Sequence, residues 1–307
     1  MCAAKTCSMR SIRMCSAIIR RAAACISACV CATASPAFAG GGVRVLRASD
    51  GVVSTSLCAD AYVLELAGPG RIAALSWQVD HPVSAAPDWA RSLPKAWNDA
   101  ERLYALAPGL TVFGAGEGAR TRRMLERTGF ETFELSWASG FDGVRANLLA
   151  LGRHLHRDAE AGEAVAALDR RLAALSARSA ERGVRPRVLY LSASGGTAGD
   201  GTYIDAAIAA AGGVNVMAEE GVTGWPAGDP ETVLAVDADI VLTSFFTDGY
   251  TGLSNRAVRH SAYRRVLTQG ASETIPASDW PCAGPRLIDA AERIADIIDD
   301  WSAQVPS

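Results

Sequence analysis

Histidine is scarce in this chain, with only His81, His154, His156 and His260 among 307 residues. His154 and His156 fall two apart on a predicted helix, so they point to different faces and cannot clasp one metal ion. No G-x-S-x-G, no phosphate-cradling loop and no H-E-x-x-H occurs, so the hydrolase, nucleotidase and metalloprotease signatures find no support. The glycine-rich "GTAGDG" at 196–201 lacks both the lysine of a phosphate loop and the spacing of a dinucleotide fingerprint, and reads as a bent turn. Beyond residue 39 there is no run of about 18 apolar residues, the length a spanning helix needs. Cysteine is nearly missing as well once position is considered. Six of the eight lie in the first 31 residues, which leaves Cys58 and Cys282.

The N-terminal segment has a different character from the rest. It carries Lys5, Arg10, Arg13, Arg20 and Arg21 and no acidic group, then "AAACISACVCATA" and "SPAFA", with Ala37 and Ala39 placed for cleavage. Residues 1–39 are therefore expected to be a secretory signal peptide rather than part of the fold. The arginine pair at 20–21 lacks the flanks of a twin-arginine signal, and "ISAC" at 26–29 has too few apolar residues before it for a lipoprotein site. Removing residues 1–39 takes away five basic and no acidic residues and moves the formal charge from −3 to −8. Such an acidic chain is a poor partner for nucleic acid or an anionic membrane.

From residue 51 onward, strand-like and helix-like runs alternate. "GVVSTSL" (51–57), "RIAALSW" (71–77), "GLTVFGAG" (109–116) and "FETFELSW" (130–137) read as strands, with helices at 58–68, 99–108 and 119–129 between them. This rhythm predicts an α/β lobe with a mainly parallel sheet over residues 44–140. Residues 141–184 read as a helical connection. Val144, Leu148, Leu151 and Leu155 share one face of a first helix, and Val165, Leu168, Leu172 and Leu175 one face of a second that starts at Asp158. The second run, to about Arg182, would be roughly 37 Å long, enough to bridge two lobes. A second α/β lobe over 185–301 restarts with "RVLYLSASGG".

The two halves repeat one another. "AERLYALAPGLTVFG" (100–114) aligns without a gap to "PETVLAVDADIVLTS" (230–244), setting Glu101 opposite Glu231. "DAYVLELAGPGRIAAL" (60–75) pairs more loosely with "YIDAAIAAAGGVNVMA" (203–218). The predicted fold is thus α/β, two Rossmann-like lobes with a cleft between them. Tryptophans gather where strands end: Trp77, Trp97, Trp137, Trp225 and Trp280 all fall in loops or at strand termini. Ligands of doubly wound sheets sit beyond the carboxyl ends of the strands, so these side chains are candidates for an apolar cleft.

The segments "GVVSTSLCADAYVLELAGPGRIAALS", "WNDAERLYALAPGLTVF", "GTYIDAAIAAAGGVNVM", "GWPAGDPETVLAVDADIVL" and "SDWPCAGPRLIDAA", in this order and spacing, resemble the periplasmic vitamin B12 and iron-chelate binding proteins of ABC importers. The vitamin B12-binding members are the nearest. The resemblance implies two lobes joined by one long helix, a periplasmic and monomeric binding protein rather than an enzyme, and a corrinoid, haem or ferric siderophore as transported ligand rather than resident cofactor. It assigns ligand contact to Trp77, Trp97, Trp225 and Asp279, with Trp280 beside them, and docking on the importer's permease to Glu101 and Glu231. Arg256 and Arg286 are the arginines that an anionic siderophore would call for. The family aromatic after the strand at 109–113 is replaced by Gly114.

On the family fold Cys58 and Cys282 approach the cleft from opposite lobes. Three fates are open: a disulfide tethering the lobes, as expected after export, two thiolates facing a ligand metal, or two unrelated buried thiols. An exported redox or metallocofactor-handling protein working through this pair is the alternative to a binding protein.

Overall fold

The computed structural model describes residues 51–244, 260–269 and 271–304; the expected leader and Arg256 lie outside the described residues. The first lobe runs β1 (Val52–Ser54), α1 (Leu57–Leu66), β2 (Ile72–Ser76), α2 (Asp88–Arg91), β3 (Lys95–Ala96), α3 (Ala100–Leu106), β4 (Leu110–Phe113), α4 (Ala119–Arg127) and β5 (Glu131–Glu134). Two helices follow, α5 (Phe141–His154) and α6 (Asp158–Arg182). The second lobe runs β6 (Arg187–Ser192), α7 (Tyr203–Ala210), β7 (Val214–Asn215), α8 (Val216–Glu219), α9 (Pro230–Ala235), β8 (Ile240–Ser244), α10 (Ser261–Gln269), β9 (Ala271–Thr274) and α11 (Leu287–Ser302).

Both sheets are parallel, in the orders β3-β2-β1-β4-β5 and β7-β6-β8-β9. Their central strands β1, β4 and β8 are buried throughout, which is why they read as continuous apolar runs rather than as an alternation. The strand expected at 130–137 is shorter in the structure, since pairing stops at Glu134 and frees Trp137. Strands β3 and β9 and helices α2, α8 and α10 were not anticipated. The first has two residues and the second is exposed along its whole length, so neither carries a periodic signal.

Helix ends follow local chemistry. The Ser56 side chain accepts from the Ala59 N–H to start α1, and Gly68, at φ +74, turns the chain after it. Within α1, Asp60 is buried and accepts from the Ser76 N–H at 2.8 Å, the Ser76 hydroxyl at 2.5 Å and the Ser54 hydroxyl. Burial pushes its carboxyl above the usual range, while these bonds lock α1 to β1 and β2.

Helix α6 does what its length suggested and is held along its flank. Arg171 bonds Asp289 and Glu292 at 2.6 Å, Arg178 bonds Asp296 at 2.8 Å and also Asp299, and Arg182 bonds Asp299 at 2.6 Å. These acceptors all lie on α11. One contiguous apolar cluster runs from Val52 and Ile72 through Leu168 and Leu175 of α6 to Val188, Ile240 and Ile294. The lobes therefore share a core rather than hang from a linker.

Candidate ligand-binding site

In each sheet the chain steps outward from its first strand and then returns to the other side, so a crevice opens between β1 and β4 and between β6 and β8. Cys58 lies in the first turn of α1 at the first of these points. It forms a disulfide with Cys282, the two Cα atoms 5.6 Å apart and 224 residues apart in sequence. This decides among the three fates of the pair: neither sulfur is a free thiolate. The bridge ties α1 of the first lobe to the segment that leads into α11, and the chain-entropy effect of so large a loop is about 5 kcal/mol. Tyr62, one turn further along α1, donates to the Ala283 carbonyl at 2.7 Å. Burial pushes its phenol up to about 12. Asn147 of α5 accepts from the Ser136 N–H and donates to the Ser136 carbonyl, both at 2.9 Å, so the end of β5 is held against the same knot.

Beside the bridge lies a cavity of about 340 Å³ between the lobes. Trp137, Glu117 and Asn147 wall it from the first lobe, Tyr203 and Trp225 from the second, and the disulfide lies in its lining. Trp137 is 81% exposed and Trp225 52%, so two indoles stand ready to be covered. Gly116, at φ +75, lets the loop pass against Trp137, whose ring would lie 2.9 Å from a Cβ at that position. Trp225 leans on Tyr203 with ring centroids 4.9 Å apart, and burial lifts the Tyr203 phenol to about 12. A second cavity of about 480 Å³ shares Tyr203 and Trp225, and Tyr190, Ser192, Ser194 and Thr197 are among its other lining residues.

Of the expected ligand contacts, Trp225 lines both cavities. Trp77 and Trp97 line neither; they are half-exposed beyond β2 and β3, and the Arg102 guanidinium sits 4.7 Å over the Trp97 ring. Trp280 differs from the expectation outright. It has no exposed surface, donates from Nε1 to the Ser244 hydroxyl at 3.0 Å and meets Tyr190 edge-on at 5.6 Å. An indole with a buried acceptor for its N–H packs as core, and a loop address in the sequence does not reveal that. Asp279 is also buried, bonded to Arg286 at 2.9 Å and Arg293 at 3.0 Å. Its charge is met by protein, and Arg286 is engaged there too. At Gly114, where the family aromatic would stand, a Cβ would lie 2.7 Å from the Ser56 hydroxyl and 2.8 Å from the Glu117 carboxyl carbon, so those side chains would have to shift to admit one.

Glu101 and Glu231 are exposed in the first turns of α3 and α9. Both helices are capped alike: Asp99 accepts from the Arg102 N–H and Asp229 from the Thr232 N–H, each at 2.9 Å. The Thr232 N–H and hydroxyl, both donating to it, hold the Asp229 carboxyl below its usual range. Tyr62, Tyr203 and the serines of the 192–194 segment were not among the expected site residues. The serines sit at the end of β6, their one sequence signal, while Tyr62 lies within α1 and Tyr203 opens α7.

The sequence matches the periplasmic binding protein family over residues 52–255. A cobalamin-binding protein of Halobacterium salinarum is 29% identical over 201 residues, 64% of this chain and 54% of that protein, so the chain spans about half the length of that curated relative. Among solved structures, the apo periplasmic heme-binding protein RhuT from Roseiflexus sp. RS-1 aligns with a TM-score of 0.67 at 20% identity, over 83% of this chain and 99% of that one. The periplasmic vitamin B12 binding protein BtuF of Vibrio cholerae aligns at 0.62 and 21% identity, over 83% and 98%. At these identities the likeness is one of fold.

Proposed function

The chain belongs to the periplasmic binding protein family, and from that premise we propose that it captures a metal chelate in the periplasm and delivers it to the permease of an ABC importer. The chelate is a corrinoid in the first instance, with haem and ferric siderophores as the other members of the class. The observation that carries this reading is the pair of uncovered indoles, Trp137 and Trp225, contributed by different lobes to one cavity beside the Cys58–Cys282 bridge. A flat macrocycle offers two apolar faces, and covering rigid aromatic rings gains area with little loss of rotamer freedom. The shared core, the bridge and the Arg171, Arg178 and Arg182 pairs oppose a wide hinge motion, so capture proceeds with the lobes nearly fixed. Glu101 and Glu231, one per lobe, are the anionic points that meet cationic side chains of the permease. Trp77 and Trp97, half-exposed just after β2 and β3, serve a ligand that extends beyond the cavity.

Titrating the mature protein with cyanocobalamin, hemin and a ferric siderophore, and following tryptophan emission, tests this directly. Saturable quenching by one of them is expected; none from all three would sink the reading.

A further inference from the structure

The larger cavity differs in kind from the one beside the bridge. Besides Tyr190 and Tyr203, its wall is made of two segments, Ser192–Thr197 at the end of β6 and Trp225–Ala227, and they are fastened to one another. Gly196 pairs with Ala227 in an antiparallel bridge, the Gly228 N–H donates to the Gly195 carbonyl at 3.0 Å, and the Tyr263 hydroxyl donates to the Gly228 carbonyl at 2.6 Å. A Cβ at residue 228 would lie 2.2 Å from the Gly195 oxygen, so only glycine permits this approach. The wall is fixed before any ligand arrives.

What that wall presents is hydroxyl chemistry. The Ser192 oxygen accepts from the Gly196 N–H at 2.9 Å and lies 2.9 Å from the Ser194 hydroxyl. Ser194 itself is exposed and keeps hydrogen-bonding capacity toward the cavity. Thr197 is 2% exposed, and its hydroxyl has no hydrogen-bond partner, a group that native structures satisfy with a ligand atom or water. Among the described residues no charged side chain lines this cavity, and the one charged residue lining its neighbour is Glu117. Among the described residues a ligand carboxylate in this cavity would meet no cation. An uncharged amide would find donors and acceptors of its own kind.

Resting on the reading that the inter-lobe cavity takes a chelate, we propose that the serine-lined cavity is a second subsite, holding an uncharged carboxamide-type arm while the ring lies between Trp137 and Trp225. Ser194 reads the arm, and the site selects macrocycles with amide substituents over those with carboxylates.

The test compares two corrinoids on the mature protein by calorimetric titration: cyanocobalamin, whose ring carries amides, and cobyrinic acid, whose ring carries carboxylates. Wild type is expected to prefer cyanocobalamin at least tenfold. Ser194→Ala, a change at an exposed position, should weaken cyanocobalamin about fivefold and leave cobyrinic acid unchanged. Ser194→Arg should narrow or reverse the preference by supplying a cation beside the arm. The subsite is overturned if both variants bind the two corrinoids as wild type does, or if wild type binds cobyrinic acid as tightly as cyanocobalamin. Hemin or siderophore binding with neither corrinoid bound overturns the amide subsite and leaves the chelate-capture reading standing. Failure of every chelate overturns both.

Discussion

The two lobes are built on one plan and put to different uses. Leaving aside the two-residue strand β3, the sheets have the same order, β2-β1-β4-β5 against β7-β6-β8-β9. Each carries a short helix with an aspartate cap, a glutamate two residues later and an exposed apolar residue a turn further on, Tyr104 in one and Leu234 in the other. The crevices at the strand ends have diverged. The first lobe supplies Cys58, Glu117 and Trp137, and the second supplies Trp225, Tyr203 and a hydroxyl-bearing wall. A duplicated α/β unit repeats what closes its sheet, while the segments leaving the strands are free to vary because the sheet does not depend on their side chains.

The comparison can be broken most forcefully at the bond between the lobes. Replacing Cys58 and Cys282 together by serine should lower unfolding stability by about 5 kcal/mol on the chain-entropy account, read as a shift of the urea midpoint. An unchanged midpoint would mean that the shared core alone unites the lobes. The aromatic walls come next. Trp137→Ala and Trp225→Ala should each weaken chelate binding on the order of fiftyfold, measured by calorimetry, and an effect confined to Trp225→Ala would place the ligand on the second lobe only. The symmetry of the glutamates is a finer test. Glu101→Lys and Glu231→Lys should each reduce transport into permease-bearing vesicles about tenfold with ligand affinity intact, and unequal losses would show that docking does not follow the duplication.

The smallest effect concerns the flank of α6. The hydrogen bond from Arg171 lowers the Glu292 carboxyl, and Arg178 and Arg182 lower Asp299 although burial works the other way. A carboxyl whose folded value lies below its unfolded one contributes stability above the unfolded value and loses it as pH falls through the folded one. Each is partly exposed, so its share is about half a kcal/mol. Urea midpoints between pH 7 and pH 3 should fall accordingly, and Arg178→Ala should flatten that dependence; an unaltered slope would rule the pairs out as its source.

Much of the scaffold was legible in the residues. Continuous apolar runs mark strands buried on both faces, and the spacing of Val144, Leu148, Leu151 and Leu155 marks a helix face that is buried throughout. The gapless match of 100–114 to 230–244 anticipated two short helices with equivalent glutamates, each leading to a buried strand. The site was less legible. Trp280 and Trp225 both occupy loops, yet one is sealed against Ser244 and Tyr190 and the other is open. Asp279 reads as an available carboxylate until Arg286 and Arg293 are found on either oxygen.

The residues alone determined the parallel strands, the long helix α6, the paired glutamates and the isolation of Cys58 and Cys282 as the two cysteines beyond the leader-like segment, because periodicity, capping and composition are local properties of a chain. Only the tertiary structure decided that those cysteines join, that Trp280 belongs to the core and Trp137 to the cavity, and that Ser192 and Ser194 line the cavity of the second lobe. Each of these depends on which distant segment arrives opposite, and burial and hydrogen-bond partnership are set by that arrival rather than by sequence neighbours.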